Sequence, residues 1–155
     1  IYLPRFGVRL FLKKEARKVT YFGYGPHENY IDKHHSCYKG LFDTSVDELF
    51  EDYVRPQENG SHWQVSYLNV GEMDGAGIQV LPGEDTFSFN VSSYSQENLM
   101  TTAHNYELVP DGDTVVCLDY MQSGIGSNSC GPTLLEQYRL DAPEFTFSVR
   151  ILPRY

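Results

Sequence analysis

The chain has 155 residues, the length of one domain, and its 12 Lys and Arg against 21 Asp and Glu leave a formal charge of −9, which argues against neutralising a nucleic-acid backbone. Aromatics reach 14%, with 12 Tyr, 9 Phe and 1 Trp, while Ala occurs only at Ala16, Ala76, Ala103 and Ala142; that balance favours sheet over helix, and 41% hydrophobic residues excludes a disordered acidic tail. No apolar run approaches the roughly 20 residues of a membrane span, and three widely spaced cysteines (Cys37, Cys117, Cys130) make no disulfide framework, so a soluble protein of a reducing, cytoplasmic compartment is expected.

Period-two alternation marks the strands. Phe6, Val8, Leu10 and Leu12 alternate with Gly7 and Arg9, and only Phe11 breaks the pattern. The capping-box pair Ser45 and Glu48, followed by Val46, Leu49, Phe50 and Tyr53 at helical spacing, predicts a first short helix. Trp63, Val65 and Tyr67 then alternate with Gln64 and Ser66, and Phe87, Phe89 and Val91 with Ser88 and Asn90. Turn chemistry at 71–77, 82–85 and 111–113 punctuates them. A second short helix is predicted at Ser95–Ala103, with Leu99 and Met100 as its apolar pair. Val115, Val116, Cys117 and Leu118 are apolar on both faces, as in a doubly covered central strand. Phe145, Phe147, Val149 and Ile151 close the series, and the strand-like end, with a start at Ile1 rather than Met, raises the expectation of a piece of a longer protein.

Chemistry-bearing residues are few. Asp43, Asp47, Glu48, Glu51 and Asp52 gather near the first predicted helix and read as a solvated face. Glu28 and Glu58 each lie between a Pro and an Asn in loops; they offer carboxylates for a glycosidase pair, or acceptors that tie loop amides together. His34, His35 and Cys37 supply half a zinc site without a second half. Cys130 with His104 is a conceivable nucleophile and base, but no strand–turn–helix elbow frames a nucleophile. The segment Gly124-Ile125-Gly126-Ser127-Asn128-Ser129-Cys130-Gly131-Pro132 is neither a Walker loop nor a dinucleotide fingerprint. Its glycines permit tight turns, and its Asn and Ser side chains suit sugar hydroxyls or their own backbone equally well.

Five ordered blocks carry a resemblance. They are Leu3-Pro4-Arg5-Phe6-Gly7; Tyr24-Gly25-Pro26-His27-Glu28-Asn29-Tyr30 with Asp32; Tyr53-Val54-Arg55-Pro56-Gln57-Glu58-Asn59-Gly60; Phe87 to Tyr94 with His104; and Gly124-Ile125-Gly126 followed by Tyr138-Arg139-Leu140. On these the chain resembles the C-terminal, small-chain type domain of family 2 glycoside hydrolase β-galactosidases. The resemblance implies an all-β β-supersandwich like that of galactose mutarotases, of which positions 1–155 would be the C-terminal portion. It implies a parent enzyme that hydrolyses terminal β-D-galactosides such as lactose with retention, its two catalytic Glu residues in a barrel domain absent from this chain. No catalytic residue is therefore carried over. Magnesium and sodium are expected in the parent and no cofactor in this chain; the expected partners are the galactoside, the barrel and other domains, and further copies in a homo-oligomer, with neither nucleic acid nor membrane.

One substrate contact carries over in part. The family places a Trp in the loop after Gly-x-Gly, near the acceptor end of the sugar pocket; here the loop is shorter by about one residue, with Cys130 at that position. Asn128, Ser129 and Cys130 are therefore the expected substrate-binding residues. Two other classes stay open at this point. One is a mutarotase-like isomerase, for which His27 or His104 with Glu58 would serve; the other is a non-catalytic carbohydrate-binding module.

Overall fold

In the computed structural model, which describes residues 1–125 and 133–155, the chain starts as an edge strand, β1 (Arg5–Lys13), and crosses at once to a second sheet as β2 (Lys18–Gly25) and β3 (Tyr38–Ser45). β4 (His62–Val65) returns to the first sheet, and β5 (Tyr67–Gly71) and β6 (Gly77–Pro82) belong to the second. β7 (Phe87–Ser92), the helix α1 (Gln96–Thr101) and β8 (Asp113–Gln122) follow, and β9 (Val149–Arg154) ends the chain. Both sheets are antiparallel, in the orders β1-β8-β7-β4 and β3-β2-β5-β6-β9. They share one core: Val19, Tyr21, Leu68, Val70 and Val80 from one face meet Val65, Phe87, Phe89, Val91, Val116 and Leu118 from the other. This is the all-β fold that alternation and composition predict, arranged as the sandwich that the resemblance implies. β8 is the covered interior strand expected from its apolar run, and Val115 to Leu118 are all buried.

The departures have local causes. Trp63, Val65 and Tyr67 do not share one strand. Gln64 adopts φ +53 and Ser66 donates its amide to Phe22 O at 3.0 Å, so the chain switches sheets between β4 and β5. A bulge separates the β4 pairings His62↔Phe89 and Val65↔Phe87, and it is His62, not Trp63, that faces the core with Val65. Phe145 and Phe147 precede β9 rather than joining it. Phe145 stacks on Tyr120 at 4.5 Å and meets Phe6 edge-on at 4.9 Å.

Of the two predicted helical inserts, the second forms. Ser95 caps α1, its hydroxyl accepting from the Asn98 amide, and Leu99 is its buried residue. The first is only a turn. Its capping box is present, with Ser45 N donating to Glu48 at 2.9 Å and Glu48 N to Ser45 Oγ at 3.3 Å, but the chain tightens at once through Phe50 N to Asp47 O. Val46 and Leu49 enter the core from that single turn; further helix would add no buried face to offset its nucleation.

Candidate functional site

Asn128, Ser129 and Cys130 lie outside the described residues, as does all of 126–132. What the structure shows is how both ends of that segment are held. At the end of β8, Ser123 N donates to Pro4 O at 2.9 Å and its hydroxyl donates to Leu3 O at 2.6 Å, while Leu140 N donates back to the same hydroxyl at 2.9 Å. Leu3 and Leu140 form a β-bridge. Gly124 N donates to Tyr138 O at 2.8 Å, and Ile125 N donates to the Asp32 carboxylate at 3.0 Å. Gly124 has to be glycine because a Cβ there would lie 2.5 Å from that carboxylate. On the far side Leu134 and Leu140 are buried, and Arg139 Nε donates to Leu134 O at 2.7 Å from beside the 3₁₀ turn Glu136–Tyr138. The segment therefore springs from two ends fixed to each other and to the strip 2–5.

The loop carboxylates split in role. Glu28 is buried and gathers four partners: Lys33 Nζ at 2.6 Å, Tyr30 OH at 3.2 Å, Gly60 N at 2.9 Å, and the Tyr53 hydroxyl. Burial alone would raise its pKa; the Lys33 ammonium, the Tyr53 hydroxyl and the Gly60 amide outweigh burial and hold the carboxyl below its ordinary value. Glu28 thus ties the 26–37 and 46–61 loops together, with both of its carboxylate oxygens engaged. Beside it, Asn29 accepts from Trp63 N at 2.7 Å and donates to Tyr24 O and His27 O, both at 2.9 Å. Glu58 instead pairs with Arg5 and accepts from Gln122 at 3.2 Å.

The remaining candidates are also engaged. His34 stacks between His35 and Trp63, at 4.8 and 4.6 Å, and Cys37 donates to His27 O at 3.5 Å. His104 meets Glu107, at 3.3 Å. Of the acidic cluster, Asp43 accepts from Thr20, Asp47 pairs with Arg17, Glu48 caps its turn and Asp52 accepts from Asn105, which is the behaviour of a solvated face. Among the described residues no three His, Cys, Asp or Glu side chains are placed to hold a metal ion, and no helix is long and apolar enough to cross a membrane.

Sequence reasoning passed over Asp32, Ser123, Arg5 and Asp119. The first two set the base of the Gly126–Pro132 segment. Arg5 bonds the buried Asp119 from the opening of β1. Only Asp32 and Arg5 stand in the family-like blocks, and nothing in their spacing names their partners.

Residues 1–151 match the family model described as the beta-galactosidase small chain. The chain is similar to a beta-galactosidase of Actinobacillus pleuropneumoniae, 48% identical over 144 residues, which is 93% of this chain and 14% of the relative. A beta-galactosidase of Staphylococcus xylosus is 43% identical over 150 residues, covering 97% of this chain and 15% of the relative, and one of Kluyveromyces lactis is 36% identical over 146 residues, covering 93% and 14%. The chain thus spans 14–15% of the length of these curated relatives. With its ordered motifs and its nearly all-β architecture, the chain belongs to the beta-galactosidase small-chain family.

Proposed function

We propose that residues 1–155 are the C-terminal sandwich domain of a larger β-galactosidase, a cytoplasmic homo-oligomer that hydrolyses terminal β-D-galactosides with retention. The observation that carries this reading is the pairing of near-complete coverage of this chain with 14–15% coverage of each relative. The chemistry then belongs to the barrel of the parent, and so do the magnesium and sodium. This domain packs against that barrel and lends it the segment 126–132, with Asn128, Ser129 and Cys130 toward the acceptor sugar. The fixed ends of that segment support the reading, because a specificity loop works best on a rigid base. Replacing an indole by a thiol at position 130 removes a stacking platform worth about 1 kcal/mol or more per sugar ring and opens the acceptor subsite.

The test is the parent enzyme carrying Cys130→Trp. The variant is expected to shift KM for lactose and for an aryl galactoside unequally, since only the acceptor differs between them. Unchanged constants for both substrates would remove position 130 from the acceptor side.

A further inference from the structure

Ile125 is the residue from which the segment 126–132 starts, and it is held from outside the ring of contacts that closes the base. The bonds at Ser123 and Gly124 run to Leu3, Pro4, Tyr138 and Leu140, so they join the two ends of the segment to each other and to the strip 2–5. The Ile125 amide goes elsewhere, to the carboxylate of Asp32, 93 positions away in the loop between β2 and β3. An amide donating to a carboxylate makes a charge-assisted bond, roughly twice as strong as one between neutral groups. The neighbouring residue makes room for it. A Cβ on Gly124 would lie 2.5 Å from the same carboxylate, so only glycine lets Asp32 reach the backbone there.

Asp32 is itself carried on a stiff mount. It is the second of two turn residues between Tyr30 and Lys33, whose backbones bond each other at 2.8 and 3.0 Å. Both ends of that turn are tied to the buried Glu28, Tyr30 through its hydroxyl at 3.2 Å and Lys33 through its ammonium at 2.6 Å. A chain of contacts thus leads from Glu28 through the turn to the Ile125 amide. Its last link adds little to the sandwich, because Ile125 is 38% exposed, Asp32 is half-buried, and neither lies in a strand or in the core. A hydrogen bond in such a place contributes little net stability. Fixing the plane of one peptide nevertheless fixes the heading of the chain that leaves it.

We propose that Asp32 is a positioning residue for the acceptor sugar, acting through Ile125 on the segment 126–132. The proposal rests on the acceptor reading of that segment. Retention passes through a galactosyl-enzyme, which either water or the hydroxyl of an added sugar can open. The share handed to the added sugar therefore reports on the acceptor side separately from the chemistry of the barrel.

The full-length enzyme is given an aryl galactoside with glucose as acceptor. The ratio of galactosyl-glucose to free galactose is measured for the wild type, Asp32→Asn, Asp32→Ala and Cys130→Trp. Asp32→Asn keeps the shape of the side chain and a neutral acceptor for the amide. It should lower the ratio about threefold and Asp32→Ala about tenfold, with aryl release within about twofold of the wild type. If the alanine variant does not fold, the asparagine variant decides alone. A wild-type ratio in Asp32→Asn overturns the proposal whatever happens to aryl release, because a merely structural loss lowers both products together. If Cys130→Trp moves the ratio and Asp32→Asn does not, the acceptor reading stands and Asp32 is removed from it. If neither moves the ratio, the acceptor reading falls as well.

Discussion

His62 makes the protein sensitive to acid by a calculable amount. It is 1% exposed, its ring lies 4.8 Å from that of Tyr21 and 5.1 Å from that of Phe89, and its Nδ1 is 3.0 Å from Gly60 O. Burial pushes its pKa down from 6.5 to about 4, against the pull of the Gly60 and Pro26 carbonyls. As pH falls the unfolded chain takes up this proton first, so the stability of the neutral form is complete above 6.5 and drains away between 6.5 and 4. Proton linkage over that interval gives a loss of about 2 kcal/mol from pH 7 to pH 5, and about 3 kcal/mol in full.

Asp119 works in the opposite sense. Burial pushes its carboxyl from 3.8 up to about 6 in spite of Arg5, so its protonation favours the folded state over the same interval. The measurement is therefore a difference of differences. Urea unfolding of the 155-residue chain and of its His62→Phe variant is followed at pH 7 and pH 5 by the emission of Trp63, the single Trp. Phe keeps a ring between Tyr21 and Phe89 but cannot titrate. The wild type should lose about 2 kcal/mol more than the variant on acidification. Equal losses would refute the reasoning and mean that the folded protein carries His62 charged, with both ring N–H groups on carbonyls.

Glu28→Gln should lower stability by about 2 kcal/mol at neutral pH, since the lost ion pair has a half-exposed lysine and only the carboxylate side is fully desolvated. The wild-type advantage should disappear as pH falls below the ordinary carboxyl value of 4.5, because the folded-state pKa is depressed; an unchanged urea midpoint at neutral pH would contradict the hub assigned to Glu28. Gly60→Ala should cost at least about 2 kcal/mol, because φ is +72 and the added Cβ would sit 2.5 Å from Leu49 O. Gly112→Ala is the comparison, with φ +94 but nothing within 4 Å of the Cβ, and should cost about 1 kcal/mol. Thermal midpoints that fall equally in the two variants would show that strain rather than collision sets both.

The sandwich was legible where one face is buried and side chains mark it, as in Phe87, Phe89 and Val91. It was illegible where the marker is missing. In β2 the inward positions are Val19, Tyr21, Gly23 and Gly25, and the last two read as turn residues. Gly23 is nonetheless required, since a Cβ there would lie 2.7 Å from Val65 Cγ2. β3 is an edge strand with Leu41 68% exposed, so its apolar residues follow no inward rhythm. The site was half legible for a different reason. Glu28 and Glu58 stood out by type, but what each does is decided by Tyr53, Gly60, Arg5 and Gln122, up to 64 positions away, and distance along the chain carries no trace of such pairings.

The clamp at Ser123, Gly124 and Ile125 works as a socket. Its hydrogen bonds run to Leu3, Pro4, Asp32, Tyr138 and Leu140, and none depends on the identity of the seven residues between its jaws. Closing a loop costs little more when a residue or two is added, so the length and residues of that segment can change while the sandwich keeps its registers. On the acceptor role proposed for that segment, descendants of one ancestral domain would diverge in acceptor choice by exchanging a single cassette.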